Sequence, residues 1–242
     1  MSNLSVNDEW WLTAKAEAQQ RKDSTKSSDV NLGDTFLIVT EGTVTEPTYF
    51  GCIKNLFRLR GVDVRIAPGE KSAPKSVIDT AQRLADKQKQ KSPRELKVSE
   101  PREYDHVWAV IDTDHAQAQG NWNDIVNLAK QKDVKIASST PCFEFWLLLH
   151  LTYSTAPITN GKNAKNKLLQ TLKKQKLPHH SSTKEREATK CIISIIDQWV
   201  TAVKRSEKIR NHHTLSNSPG PANPSTTVDQ LINAINSSTS KR

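Results

Sequence analysis

Two short acidic motifs carry most of the chemistry this chain can do. Glu41-Gly-Thr-Val-Thr-Glu46 follows the apolar run Thr35-Phe-Leu-Ile-Val-Thr40, and Asp112-Thr-Asp114 follows His106-Val-Trp-Ala-Val-Ile111. Two strands that each release acids at their carboxyl ends can gather several carboxylates in one place. Such a group repels itself unless a divalent cation neutralises it. Mg²⁺ suits carboxylate sites that leave room for water and phosphate oxygens. Phosphoryl or phosphodiester chemistry is the leading reading.

Each acid has a second reading. Glu41 ends a strand where Gly42 lets the backbone turn, so it could bind metal, act as a general base or cap the following helix. Glu46 stands where a helix would begin, which suits dipole stabilisation as well as catalysis. Asp112 and Asp114 share a face if the strand continues, and such a pair needs either a cation or an arginine. Glu144 interrupts the apolar run Phe143 to Leu149. Burying it there costs several kcal/mol unless it faces the site or is paired. His150 reads as a helix-end residue. His212 and His213, beside Arg210, could contact phosphate or simply be solvated.

Composition narrows the partners. The chain has 242 residues, a formal charge of +9 and a pI near 9.4, so much of its surface favours polyanions. A basic surface around an acidic, metal-filled pocket is what processing of nucleic acid requires. Lys162, Lys165, Lys167, Lys173, Lys174 and Lys176 form a lysine-rich span without aromatics, suited to backbone phosphates but not to base stacking. An acidic protein surface would suit them too. Cys52, Cys142 and Cys191 lack metal-ligand spacing and read as core residues in a reducing compartment. With no apolar run of membrane-spanning length and no signal-like start, the expectation is a cytoplasmic protein without a membrane partner.

The elements that must position these residues alternate. Strands are predicted at 35–40, 62–66, 106–111 and 134–138. Helices are predicted at 47–57, from 76 onward, at 122–132 and at 141–153, followed by helical segments at 184–209 and 228–235. The stretch 211–224 reads as a loop. This order predicts an α/β sheet, mostly parallel, with helices on both faces and acids at the carboxyl ends of its strands. Three regions are expected: a flexible arm over 1–33 with Trp10 and Trp11 as its docking point, a catalytic core over 34–153, and a basic, mostly helical extension over 154–242 that packs on the core.

Four co-linear motifs resemble the RloB-like family: Glu41 to Phe50, Ala109 to Asp114, Ser139 to His150, and Asn223-Pro-Ser-Thr-Thr-Val228. Thr140 stands where the family pattern carries an asparagine. The resemblance covers most of the chain from residue 34 onward. It implies a TOPRIM-like core, Mg²⁺-dependent nuclease chemistry, a role in anti-phage defence, and an ABC-type or OLD-type ATPase encoded nearby. It also implies that the segment from Asn223 returns to the core near the site.

Two functions follow. In the first, Glu41, Asp112 and Asp114 hold Mg²⁺, or Mn²⁺ in its place, with Glu46 and Glu144 completing the catalytic set, and the chain cleaves RNA (tRNA included) or DNA. In the second, the chain is a non-catalytic subunit that binds nucleic acid or an ATPase. A homo-oligomer is compatible with either. Nothing in the sequence resembles a nucleotide-binding phosphate loop, so any ATP use belongs to a partner.

Overall fold

The first strand is apolar from Phe36 to Val39 because it is covered on both sides. Phe36–Thr40 (β1) is fully buried, as expected of a parallel strand sandwiched between helical layers. A computed structural model of the chain describes residues 34–57, 64–68, 73–97, 100–114, 121–179, 185–214 and 222–239. The expected arm with Trp10 and Trp11, and the segments 69–72 and 215–221 expected in turns and loops, lie outside the described residues.

β1 is flanked by Val64–Pro68 (β2) and His106–Asp112 (β3), both parallel to it. β3 pairs in parallel with Lys135–Thr140 (β4), and β4 pairs in antiparallel with the two-residue Ser225–Thr226 (β5). The order is β2-β1-β3-β4-β5. The chain therefore winds one way from β1 to β2 and the other way from β1 to β3. That reversal opens a crevice at the carboxyl ends of β1 and β3, where open α/β sheets bind their ligands.

Side-chain alternation sorts the helices. Phe36, Ile38, Trp108 and Val110 face one side, where they meet Thr45–Leu56 (α1) and the helices of the second half of the chain. Leu37, Val39, Ala109 and Ile111 face the other, against Pro74–Lys89 (α2) and Trp122–Gln131 (α3). The first layer continues with Glu144–Leu151 (α4), Gly161–Lys174 (α5), Glu185–Ile193 (α6), Trp199–Thr214 (α7) and Val228–Thr239 (α8). One hydrophobic cluster runs from Phe36 through Trp146 and Leu168 to Ile235. Residues before and after 153 thus share a core, and Gly33–Arg242 forms a single unit.

Several boundaries differ from the sequence reading. β2 ends two residues later than predicted, at Pro68, because its pairing with β1 sets the register. The predicted helix at 141–153 is confined to α4, since β4 extends to Thr140 and a cis bond at Pro141 leads into the turn. The lysine-rich span contains α5, a helix its composition does not announce. Its apolar stripe Ala164, Leu168 and Leu172 is sparse but correctly spaced, and the Asn160 side chain caps its start by accepting from the Asn163 amide at 2.9 Å. The segment predicted as one helix over 184–209 is broken after Ile193 by a short 3-10 turn, Ile196–Gln198. α7 then continues into the predicted loop as far as Thr214.

Candidate active site

The carboxyl end of β1 leads into Glu41, and the Glu41 amide continues the ladder by donating to the Val110 carbonyl at 3.0 Å. This brings Glu41 beside the end of β3, where its Oε2 accepts from the Asp112 amide at 3.0 Å. Asp112 is the last residue of β3 and pairs with Ser139 of β4. Its Oδ1 accepts from the Phe143 amide at 2.9 Å, so it also anchors the entry to α4, where the helix dipole favours a negative charge. Of the three acids expected to converge, Glu41 reaches Asp112 through the Asp112 backbone amide.

Glu46 lies in the first turn of α1 and folds back to accept from the Gly42 amide at 3.1 Å. A Cβ on Gly42 would collide with that carboxylate. Gly42 sits in the bend over 41–44 that the sequence suggested, and the absence of a Cβ there also leaves room for the carboxylate. The strand does not continue to Asp114: beyond Asp112 the chain turns, with the Thr113 amide donating to Ser139 and the Asp114 amide to Pro141. Buried Thr113 bonds to Thr140 at 2.7 Å, which ties β3 to β4 at the site. Glu144 opens α4 instead of interrupting it. Its carboxylate lies 3.6 Å from Lys165 Nζ on α5.

These acids feel one another. Burial holds the Asp112 carboxyl well above the usual range, and Glu46, Glu144, Glu41 and Asp114 push it in the same direction. Burial raises Glu46 to about 7, with Glu144 and Glu41 adding to the rise and the Gly42 amide opposing it. The donor chemistry, oxygen-only and anionic, fits a hard dication. Among the described residues, however, no group of three His, Cys, Asp or Glu side chains stands ready to hold an ion. The hydrogen bonds give the physical reason. Glu41, Asp112 and Glu46 are each drawn to a backbone amide, and Glu144 is drawn to Lys165.

The remaining candidates separate. Lys162, Lys173, Lys174 and Lys176 are exposed and Lys167 is half-buried. At 3.6 residues per turn they spread around the solvent side of α5 and its end instead of lining one stripe. Only Lys165 among them has a carboxylate of the site as a described partner. His150 does lie in the last turn of α4, and it is buried there. It is 2 % exposed, and the network assigns its Nδ1–H to the Trp146 carbonyl, 3.1 Å away, leaving Nε2 to accept from Tyr49 Oη at 3.2 Å. His213 lies on α7, 3.0 Å from the Pro224 carbonyl, which places it at the return to β5. The Asn223 side chain bonds both backbone groups of Ile158. Thr226 and Thr227 bond to Ser138 and Ser139, so this segment does rejoin the core, at the edge of β4.

The family of RloB-like proteins matches residues 36–235. The chain belongs to that family. All the acids of the site and the returning segment at Asn223 fall inside the match. No curated protein and no solved structure matches the chain. Among the described residues, no helix is long and apolar enough to cross a membrane.

Proposed function

We propose that this RloB-like protein is a Mg²⁺-dependent, TOPRIM-type nuclease that cleaves phosphodiester bonds of RNA or DNA as the effector of an anti-phage system. The observation that carries the reading is the contact of the Glu41 carboxylate with the Asp112 amide at the sheet's switch point, beside a buried Asp112 carboxyl held well above its usual range. Glu41, Asp112 and Asp114 would hold Mg²⁺, or Mn²⁺ in its place. Bound there, the ion would polarise the scissile phosphate and lower the pKa of the attacking water. Glu46, raised to about 7 by burial, is suited to exchange a proton near neutral pH. Glu144 borders the same space from α4. The net charge of +9 favours a polyanionic substrate. The family relationship supports the defence role and an ABC-type or OLD-type ATPase partner in the cytoplasm.

A second reading, a non-catalytic subunit that docks nucleic acid or the ATPase, draws support from the backbone amides that engage Glu41, Asp112 and Glu46. Asp112→Asn separates the two. The amide keeps an oxygen for the Phe143 N–H but loses the charge that holds an ion. Cleavage of RNA or DNA in Mg²⁺ should fall by at least about a hundredfold, with the urea midpoint unchanged or raised. Cellular protection that persists in full in this variant would favour the docking subunit.

A further inference from the structure

The first two turns of α5 are fitted to the acid cluster at two points. A Cβ on Gly161 would come within 3.3 Å of Asp114 Oδ2 and 3.5 Å of Cys142 Sγ, so the helix start is packed directly against the Asp114 side of the site. One turn later, Lys165 places its ammonium 3.6 Å from Glu144 Oε1. Positions four apart share a helix face, and the adjoining stripe Ala164, Leu168 and Leu172 fastens that face to the core. Lys165 has its pKa raised by the Glu144 carboxylate. Its side chain is nonetheless 64 % exposed, so it can swing away from Glu144 without opening a cavity.

We propose that Lys165 is a tethered counter-ion which neutralises the acid cluster while it is metal-free, and which an arriving divalent cation releases from Glu144 to grip the substrate phosphate. The last step rests on the nuclease reading, whereas the counter-ion role does not. One ammonium faces one carboxylate, while Glu41, Asp112 and Glu46 gather at the same strand ends, so carboxylate oxygens remain to attract a dication. Metal and ammonium compete for the same field. Removing the ammonium should therefore tighten metal binding and weaken substrate binding, opposite signs that a lysine merely bracing α5 against α4 would not produce. The lysine has a role in the site different from that of its exposed neighbours on α5.

Mn²⁺ binding to the full chain, measured by calorimetry without nucleic acid, tests the first half. Lys165→Met should bind Mn²⁺ about three- to ten-fold more tightly than the wild type, and Lys165→Arg should stay close to it. Equal or weaker binding by Lys165→Met overturns the proposal. A short RNA oligonucleotide in Mn²⁺ should bind Lys165→Met several-fold more weakly, and wild-type affinity there removes the phosphate-gripping step. If none of the chains binds Mn²⁺, the nuclease reading falls. The counter-ion is then judged by urea unfolding in EDTA of Lys165→Met, Glu144→Gln and the double variant. Non-additivity of about two- to five-fold in the unfolding constant supports it, and strict additivity overturns it.

Discussion

Single residues in this protein take their chemistry from what lies within hydrogen-bond reach. His150 is the clearest case. Enclosed between Trp146 and Tyr49, with both ring nitrogens engaged, it is pushed down to about 4 from 6.5, burial being the largest cause and Arg205 also opposing the charge. The unfolded chain takes up a proton near pH 6.5 that the folded chain refuses until near pH 4. Stability is thus complete above pH 6.5 and declines as the pH drops through that window. Between pH 7.5 and 4.5 this group alone should remove about 2 to 3 kcal/mol. Urea midpoints across that range should fall more steeply for the wild type than for His150→Gln, and parallel curves would show that the histidine does not titrate as described. Gly42 illustrates the same dependence on surroundings: its amide donates to the Glu46 carboxylate, which occupies the space a Cβ would take.

At the scale of elements, the helices of the second half are held to the sheet by polar ties as well as apolar contact. Arg210 on α7 makes a two-point contact with Asp229 on α8, at 2.6 and 2.7 Å, and also donates to the Thr226 carbonyl of β5. Ser206 completes the group at 2.8 Å from Asp229. Asp229 is 1 % exposed, so removing its partner strands a buried charge. Arg210→Met should cost about 3 kcal/mol or more in urea unfolding, and Asp229→Asn in that background should restore part of the loss. A loss below about 1 kcal/mol would mean that apolar packing alone holds these elements. Arg205, one turn earlier on α7, donates to the Leu149 carbonyl at 2.7 Å near the end of α4. α7 thus supports the helix that carries Glu144.

For the whole molecule, an acid-rich crevice sits on a chain of net charge +9. The exposed lysines of α5 and its end lie on the helix that borders the crevice, so a polyanion held there would be led toward the acids. If Lys162, Lys173, Lys174 and Lys176 touch phosphates, neutralising all four should weaken binding of unrelated sequences alike. The slope of log affinity against log salt should flatten by about 0.7 to 0.9 for each phosphate that a lysine no longer neutralises. Identical slopes for wild type and variant would exclude direct phosphate binding by these lysines and assign the patch to an acidic protein surface, such as that of an ATPase partner.

The sequence by itself determined the layered α/β scheme and the residues at its strand ends. Runs such as Phe36 to Val39 and Val107 to Ile111 have few alternatives to a buried strand, and an acid placed directly after such a run must emerge at the sheet's edge. It also announced the short motif at Asn223, although only pairing with β4 showed where that segment returns. α5 was partly legible, in its Asn160 cap and its stripe of Ala164, Leu168 and Leu172, but a lysine-rich composition concealed the period. What only the tertiary structure decided was partnership. The burial of His150 against Tyr49, the approach of Lys165 to Glu144 and the crowding of Gly161 against Asp114 each join residues from different elements. Such meetings depend on the angles and registers at which helices pack on the sheet, and local sequence periodicity does not encode those. The acids were therefore readable one by one, whereas their ties to backbone amides and to a tethered ammonium became visible only once the chain was folded.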